Sequence, residues 1–125
     1  MHENDISYEV RKATYAVHTT LGPGLLESVY EMALAYELQQ AGLRVRPQVP
    51  LPMMYANQRM EIRFRLKLLV EEKVIVEIKS VDALLDVHFK QLLTYLKLSN
   101  LKLGLLINFN VVTLKEHMHR LVNGL

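Results

Sequence analysis

Glu77 and Lys79 flank Ile78 at the end of the run Val74-Ile75-Val76-Glu77-Ile78-Lys79. The β-branched content of that run is strand-like, and on a strand residues two apart project to the same face. A carboxylate and an ammonium side by side there suit phosphoryl chemistry. The carboxylate can hold a hard cation such as Mg2+, and the ammonium can orient a water or stabilise charge developing at phosphorus. Glu-x-Lys also arises by chance, as an ordinary ion pair on a solvated strand. The apolar residues around it argue against such free exposure.

Other polar residues carry weaker signals. Gln91 and Tyr95 lie four apart and so share one helix face, with His88 on the same line; taken alone, a structural Tyr beside an exposed Gln is the plainer reading. His117 and His119, with His88, raise the question of zinc, but an i, i+2 pair diverges on a helix and the chain has no cysteine. Gly22-Pro23-Gly24 reads as a turn between helices, because it lacks the Gly-Lys-Ser/Thr ending of a phosphate loop. Arg44, Arg46, Arg59, Arg63 and Arg65 could form a nucleic-acid surface, although scattered basic residues usually mark a solvated face. His18 reads as structural.

These groups need elements to position them. Ile6, Val10, Ala13, Val17 and Leu21 recur every three or four residues and predict a first helix, capped by Asn4 or Asp5 and ended by Gly22-Pro23-Gly24. Leu26, Val29, Tyr30, Ala33, Leu34 and Leu38 predict a second, stopping near Gly42. Val45, Val49 and Leu51 then alternate with polar or Pro residues, as at a sheet edge. In 61–70 the pattern sets Ile62, Phe64, Leu66 and Leu68 on one face and Arg63, Arg65 and Lys67 on the other. Glu71-Glu72-Lys73 should turn this strand into an antiparallel hairpin with Val74–Lys79. Leu85, Phe89, Leu92 and Leu96 make the stripe of a third helix. Leu103–Phe109 reads as a buried strand, and Leu114–Val122 as an amphipathic segment whose type stays open.

Composition bounds the rest. The 125 residues, half of them hydrophobic, are enough for one core and too few for two ordinary domains, so residues 1–125 are expected to form a single domain. A net charge of +2 does not by itself suggest a polyanion-coating protein, and any nucleic-acid contact would need a local patch. Without cysteine there are no disulfides and no thiolate chemistry. No apolar run reaches the roughly 20 residues of a membrane span, and Met1–Asp5 lack the apolar stretch of a secretory signal, so the expectation is a cytoplasmic protein with no membrane partner. The apolar stretch 111–125 leaves a homodimer or protein partner open.

Several of these segments together resemble one family. Gly24-Leu25-Leu26-Glu27-Ser28-Val29-Tyr30 is similar to the GxxExxY signature, and Val76-Glu77-Ile78-Lys79 to the E-x-K half of the PD-(D/E)XK nuclease motif. Gln91-Leu92-Leu93-Thr94-Tyr95 resembles the QxxxY element of RecB-like members, and Gly104-Leu105-Leu106-Ile107-Asn108-Phe109 the following strand. The resemblance implies an α/β fold with an αβββαβ core, its mixed central sheet flanked by helices. It implies Glu27, an acid on the preceding strand, Glu77 and Lys79 around one or two Mg2+ or Mn2+ ions that hydrolyse a phosphodiester of nucleic acid, with Gln91 and Tyr95 beside them.

The chain departs from that pattern at one place. Where the resemblance calls for Arg-x-Asp followed by apolar residues, it reads Arg65-Leu66-Lys67-Leu68-Leu69. A hairpin symmetric about Glu72 sets Lys67 opposite Glu77 and Arg65 opposite Lys79, with opposed Cβ atoms about 4.5–5.5 Å apart. The ammonium then stands about where the metal belongs, pairs with Glu77 or Glu27, and lowers divalent affinity. The expectation is a nuclease-like protein with metal ligands Glu27 and Glu77 and a degenerate site, or a non-catalytic nucleic-acid- or protein-binding module. Two escapes stay open: Lys67 points aside, or Asp82, Asp86 or Glu61 supplies the missing acid. Glu61 is the poorest of these, roughly 20 Å along the strand.

Overall fold

The computed structural model describes residues 1–125, the side chains of residues 61–63 excepted. Helices α1 (Glu3–Leu21) and α2 (Glu27–Gln40) precede strands β1 (Val45–Tyr55), β2 (Gln58–Val70) and β3 (Val74–Lys79). Helix α3 (Asp86–Ser99), strand β4 (Leu103–Asn108), a short 3-10 turn (Lys115–His117) and strand β5 (Met118–Val122) complete the chain. The five strands lie in sequence order in one sheet. All neighbours are antiparallel except β3 and β4, which run parallel and are joined through α3. This is the α/β architecture expected, a mixed sheet flanked by helices. No helix among the described residues is long and apolar enough to cross a membrane.

Each sheet face has its own core. Ile6, Val10, Val17 of α1 and Tyr30, Leu34, Leu38 of α2 pack with Leu68, Val70, Val76, Ile78, Leu105 and Ile107 on one side. Leu92, Tyr95 and Leu96 of α3 pack with Leu66, Leu69, Ile75 and Leu106 on the other. Each fully buried aliphatic of this size contributes roughly 1.5–3 kcal/mol. Gly104 has a specific reason to lack a side chain, because a Cβ there would stand 2.9 Å from Leu92 Cδ1.

The periodic stripes need correction at their ends. His2, whose Nδ1 accepts from the Asn4 N–H at 3.0 Å, caps α1, so neither Asn4 nor Asp5 does. Leu21, Leu26, Val29 and Leu85 are exposed, and Leu26 and Leu85 sit at N-cap positions rather than inside their helices. The open segment 114–122 resolves into the 3-10 turn and β5.

The hairpin joining β2 to β3 has the expected axis: Val70 pairs with Val74, Leu69 with Ile75 and Leu68 with Val76. Glu71 and Glu72 both have positive φ, 53° and 55°, the geometry of a tight two-residue hairpin turn. Arg44 and Arg46 supply the compensation. The Arg44 N–H donates to the Glu71 carboxylate at 2.6 Å, and Arg46 pairs with Glu72 at 2.7 Å.

The facing of β2 differs from its alternating pattern. Phe64 and Leu66 join the α3 core, whereas Leu68 and Val70 join the α1/α2 core, so the strand changes face at Lys67. Opposite it on β1, Gln48 adopts φ 53° and makes no ladder pair, while Pro47 still pairs with Leu68 and Val49 with Leu66. Such a local break adds twist and re-aims side chains. Of the residues assigned to alternating faces, Ile62 and Arg63 lie outside the described side chains.

Candidate active site and its lysine

The turn before α2 is held from three sides. Gly22 (φ 67°) and Gly24 (φ 94°) take backbone conformations that favour glycine. Buried Tyr30 donates its hydroxyl proton to Gly22 O at 2.6 Å and accepts from the Leu25 N–H at 3.2 Å, while its ring stacks on Phe109 with centroids 4.5 Å apart. Ser80, the residue after Lys79, donates to Leu25 O at 2.5 Å. The glycine and the tyrosine of the Gly24–Tyr30 stretch thus shape one turn, and that turn sets Glu27 as the first residue of α2 beside the end of β3.

Glu27 meets Lys67 there. Glu27 Oε1 is 3.2 Å from Lys67 Nζ, and both side chains are about a third exposed or less (31% and 27%). The partner is therefore Glu27 and not Glu77, and the β2–β3 ladder ends at Leu68–Val76, one residue short of the expected Lys67–Glu77 and well short of Arg65–Lys79. The change of facing at Lys67 explains this: the side chain leaves the row it would have shared with Glu77. Lys67 does not point away from both acids, because its ammonium is engaged with Glu27.

Glu77 is 5% exposed, and its Oε1 has no hydrogen-bond partner among the described residues. Burial lifts its carboxyl to about 7, against the downward pull of Lys79 first and of the Lys67 backbone and ammonium after it; the Glu31 charge adds to the lift. Burial of an unpaired carboxylate is costly, and taking up a proton is the ordinary response. Tyr95 is buried, packs on Phe64 with centroids 5.3 Å apart, and has its hydroxyl raised by burial and then by the Glu77 charge. Lys79 is half-buried and makes no salt bridge among the described residues.

Gln91 behaves differently. It is exposed on α3, and its companion His88 turns back to accept the Leu85 N–H at 3.0 Å, so the polar line His88, Gln91, Tyr95 divides into a cap, an exposed residue and a buried one. Asp82 and Asp86 are exposed, and the Glu61 side chain lies outside those described. Among the described residues no three His, Asp or Glu gather as a metal-holding group. His117 and His119 do come together at one cleft, since His119 is on a strand and the helical divergence argument does not apply, but they too form no such group. His18 Nε2 lies 2.7 Å from Val111 O. Of the five arginines, Arg44 and Arg46 are tied to the hairpin turn, Arg59 and Arg65 are exposed, and the Arg63 side chain is outside those described.

Two further residues belong to this centre. Glu31, one helical turn after Glu27, is buried and accepts from Gln48 Nε2 with both carboxylate oxygens, at 2.7 and 3.0 Å. The i, i+4 spacing from Glu27 could have revealed Glu31. Gln48 carries no comparable signal, because only its left-handed backbone brings it there.

A profile of the PD-(D/E)XK nuclease superfamily matches residues 4–121, so the chain belongs to that superfamily. No curated protein and no solved structure gives a significant match. Members of the superfamily are nuclease-like and usually use Mg2+ or Mn2+. Glu77 Oε1, unpartnered among the described residues, would alone suit a cation, but the residues present do not fit a divalent metal: Glu27 is held by Lys67, Glu31 by Gln48, and among the described residues no three His, Asp or Glu gather as a metal-holding group.

Proposed function

We propose that residues 1–125 form one nuclease-like domain of the GxxExxY type that binds nucleic acid and has lost metal-dependent cleavage. The single observation that carries this reading is the 3.2 Å pair between Lys67 and Glu27. An ammonium in that place supplies the positive charge that a metal would bring, and it repels any divalent ion approaching Glu77. What remains is a phosphate-binding surface. Lys79 has no carboxylate within salt-bridge distance among the described residues, and Arg65 is exposed; both can donate charge-assisted hydrogen bonds to phosphate oxygens. Glu27, Glu77, Lys79 and Tyr95 are the residues of the ancestral centre, with Gln91 at its exposed margin. The cytoplasm is the proposed location. The test is whether Lys67→Asp gains Mn2+ or Mg2+ binding that the wild type lacks.

A specific observation favours a second, protein-binding reading. The outer face of α2 exposes Met32 and Tyr36, with Met32 at 75%, beside a groove closed by Pro47 and Gln48. Solution sizing of the wild type against Met32→Asp tests this: a dimer that dissociates in the variant supports it.

A further inference from the structure

A cleft of about 330 Å3 lies next to Lys79 on the same side of the sheet. The register places it. Lys79 pairs with Asn108, which lines the cleft, and Glu77 pairs with Leu106, which pairs in turn with His119 on β5. Paired residues project to one face, and strands lie about 4.8 Å apart, so His119 stands roughly 10 Å from Glu77 along that row. Phe89 of α3 and His119 form the aromatic wall, with ring centroids 5.0 Å apart at 71°. Asp82 and Glu116 stand at the rim. Asn108 is fully committed to shaping the loop: its side-chain oxygen accepts from the Val81 and Asn110 N–H groups at 3.2 Å, and its NH2 donates to Val81 O at 2.9 Å.

The lining selects a ligand. Among the described residues no Lys or Arg borders the cleft, so a phosphate finds no fixed countercharge there. Burial and the neighbouring His117 hold the His119 imidazole below its usual range, which keeps it neutral at neutral pH and suited to stacking. A nucleobase matches this surface: its π-face meets Phe89 and His119, and its exocyclic amino or ring N–H groups meet the carboxylates of Asp82 and Glu116. Lys79, one strand away, matches the phosphate to which such a base is attached. A volume of this size is ordinary for a small-ligand pocket. We infer that the cleft takes an unpaired base of a single-stranded nucleic acid whose phosphate lies at Lys79. This rests on reading the site as nucleic-acid binding. A base in a duplex is stacked and paired, so it cannot enter without being extruded.

The experiment uses the full chain. Nucleoside monophosphates and ribose 5-phosphate are titrated while the imidazole proton resonances of His117 and His119 are followed by NMR. Fluorescence anisotropy is then measured with a single-stranded oligodeoxynucleotide, the matching oligoribonucleotide and the DNA duplex. The nucleotides shift the His119 resonance and ribose 5-phosphate does not. His119→Ala lowers affinity for both single strands roughly 5- to 150-fold, the range of one lost base–aromatic stack, and leaves duplex affinity unchanged. Asp82→Asn, at an exposed residue with no salt bridge among the described residues, lowers single-strand affinity in the same direction. Equal single-strand affinity for wild type, His119→Ala and Asp82→Asn overturns the assignment of the cleft, as does an equal His119 shift with ribose 5-phosphate. Duplex binding that survives alongside either result leaves the broader nucleic-acid reading standing. Absence of binding to all three oligonucleotides overturns both.

Discussion

Lys67, near the C-terminal end of β2, and Glu27, the first residue of α2, meet at 3.2 Å, and the pair brings together two residues 40 positions apart in the chain. Glu77, a second carboxylate of the centre, is buried beside them, and among the described residues its Oε1 has no hydrogen-bond partner. The pair is partly exposed, so its contribution to stability is small. Lys67→Met should cost no more than about 1 kcal/mol in urea unfolding. A loss several times larger would mean that Lys67 holds the fold together, not that it occupies a position once given to a ligand.

Glu77 should leave a pH signature. Its carboxyl is raised from 4.5 to about 7 in the folded chain. The folded state therefore binds the proton more tightly than the unfolded state, and the stability this contributes is complete below about pH 4.5 and lost as pH rises through about 7. Glu77→Gln has no such loss. The stability difference between Glu77→Gln and wild type should shift in favour of the variant between pH 5 and pH 8, by at most about 3 kcal/mol from a shift of this size. Parallel pH profiles for the two proteins would show that Glu77 titrates normally.

The same residue links pH to binding. Below about pH 7 a protonated Glu77 leaves the Lys79 charge uncompensated, so affinity for single-stranded DNA at constant salt should increase as pH falls from 8 to 6. Lys79→Ala should weaken binding about equally across sequences and reduce the salt slope by about one. A sequence-dependent loss in that variant would place Lys79 against a base instead of a phosphate.

Much of this architecture is legible in the residues. The apolar runs of β3 and β4 and the three helical periods set the element order, and the central position of Glu72 set the hairpin axis that the Val70–Val74 pair reproduces. The site was legible less completely. Period-two alternation carries no mark of the left-handed Gln48, so it could not show that β2 changes face at Lys67. For the same reason spacing within the hairpin alone pointed Lys67 at Glu77, while the actual choice of Glu27 depends on where the Gly22–Gly24 turn sets the start of α2. The segment at Met118–Val122 is too short for either period to prevail, and only its pairing with β4 decides its type.

Tyr30 should matter to the site through that turn. Tyr30→Phe keeps the stack on Phe109 but leaves Gly22 O and the Leu25 N–H without their partner. The expected cost is about 1–3 kcal/mol in urea unfolding. Ser80→Ala, which removes one contact to the same turn, should cost less. Equal stability of Tyr30→Phe and wild type would argue that water replaces the hydroxyl without loss.

The central claim is that one lysine has closed a metal site, and calorimetric titration of Mn2+ tests it most directly. The account predicts no binding heat for the wild type and measurable binding for Lys67→Asp that disappears when Glu77→Ala is added. Mn2+ binding by the wild type, abolished by Glu77→Ala, would contradict it and return the chain to the metal-dependent nucleases.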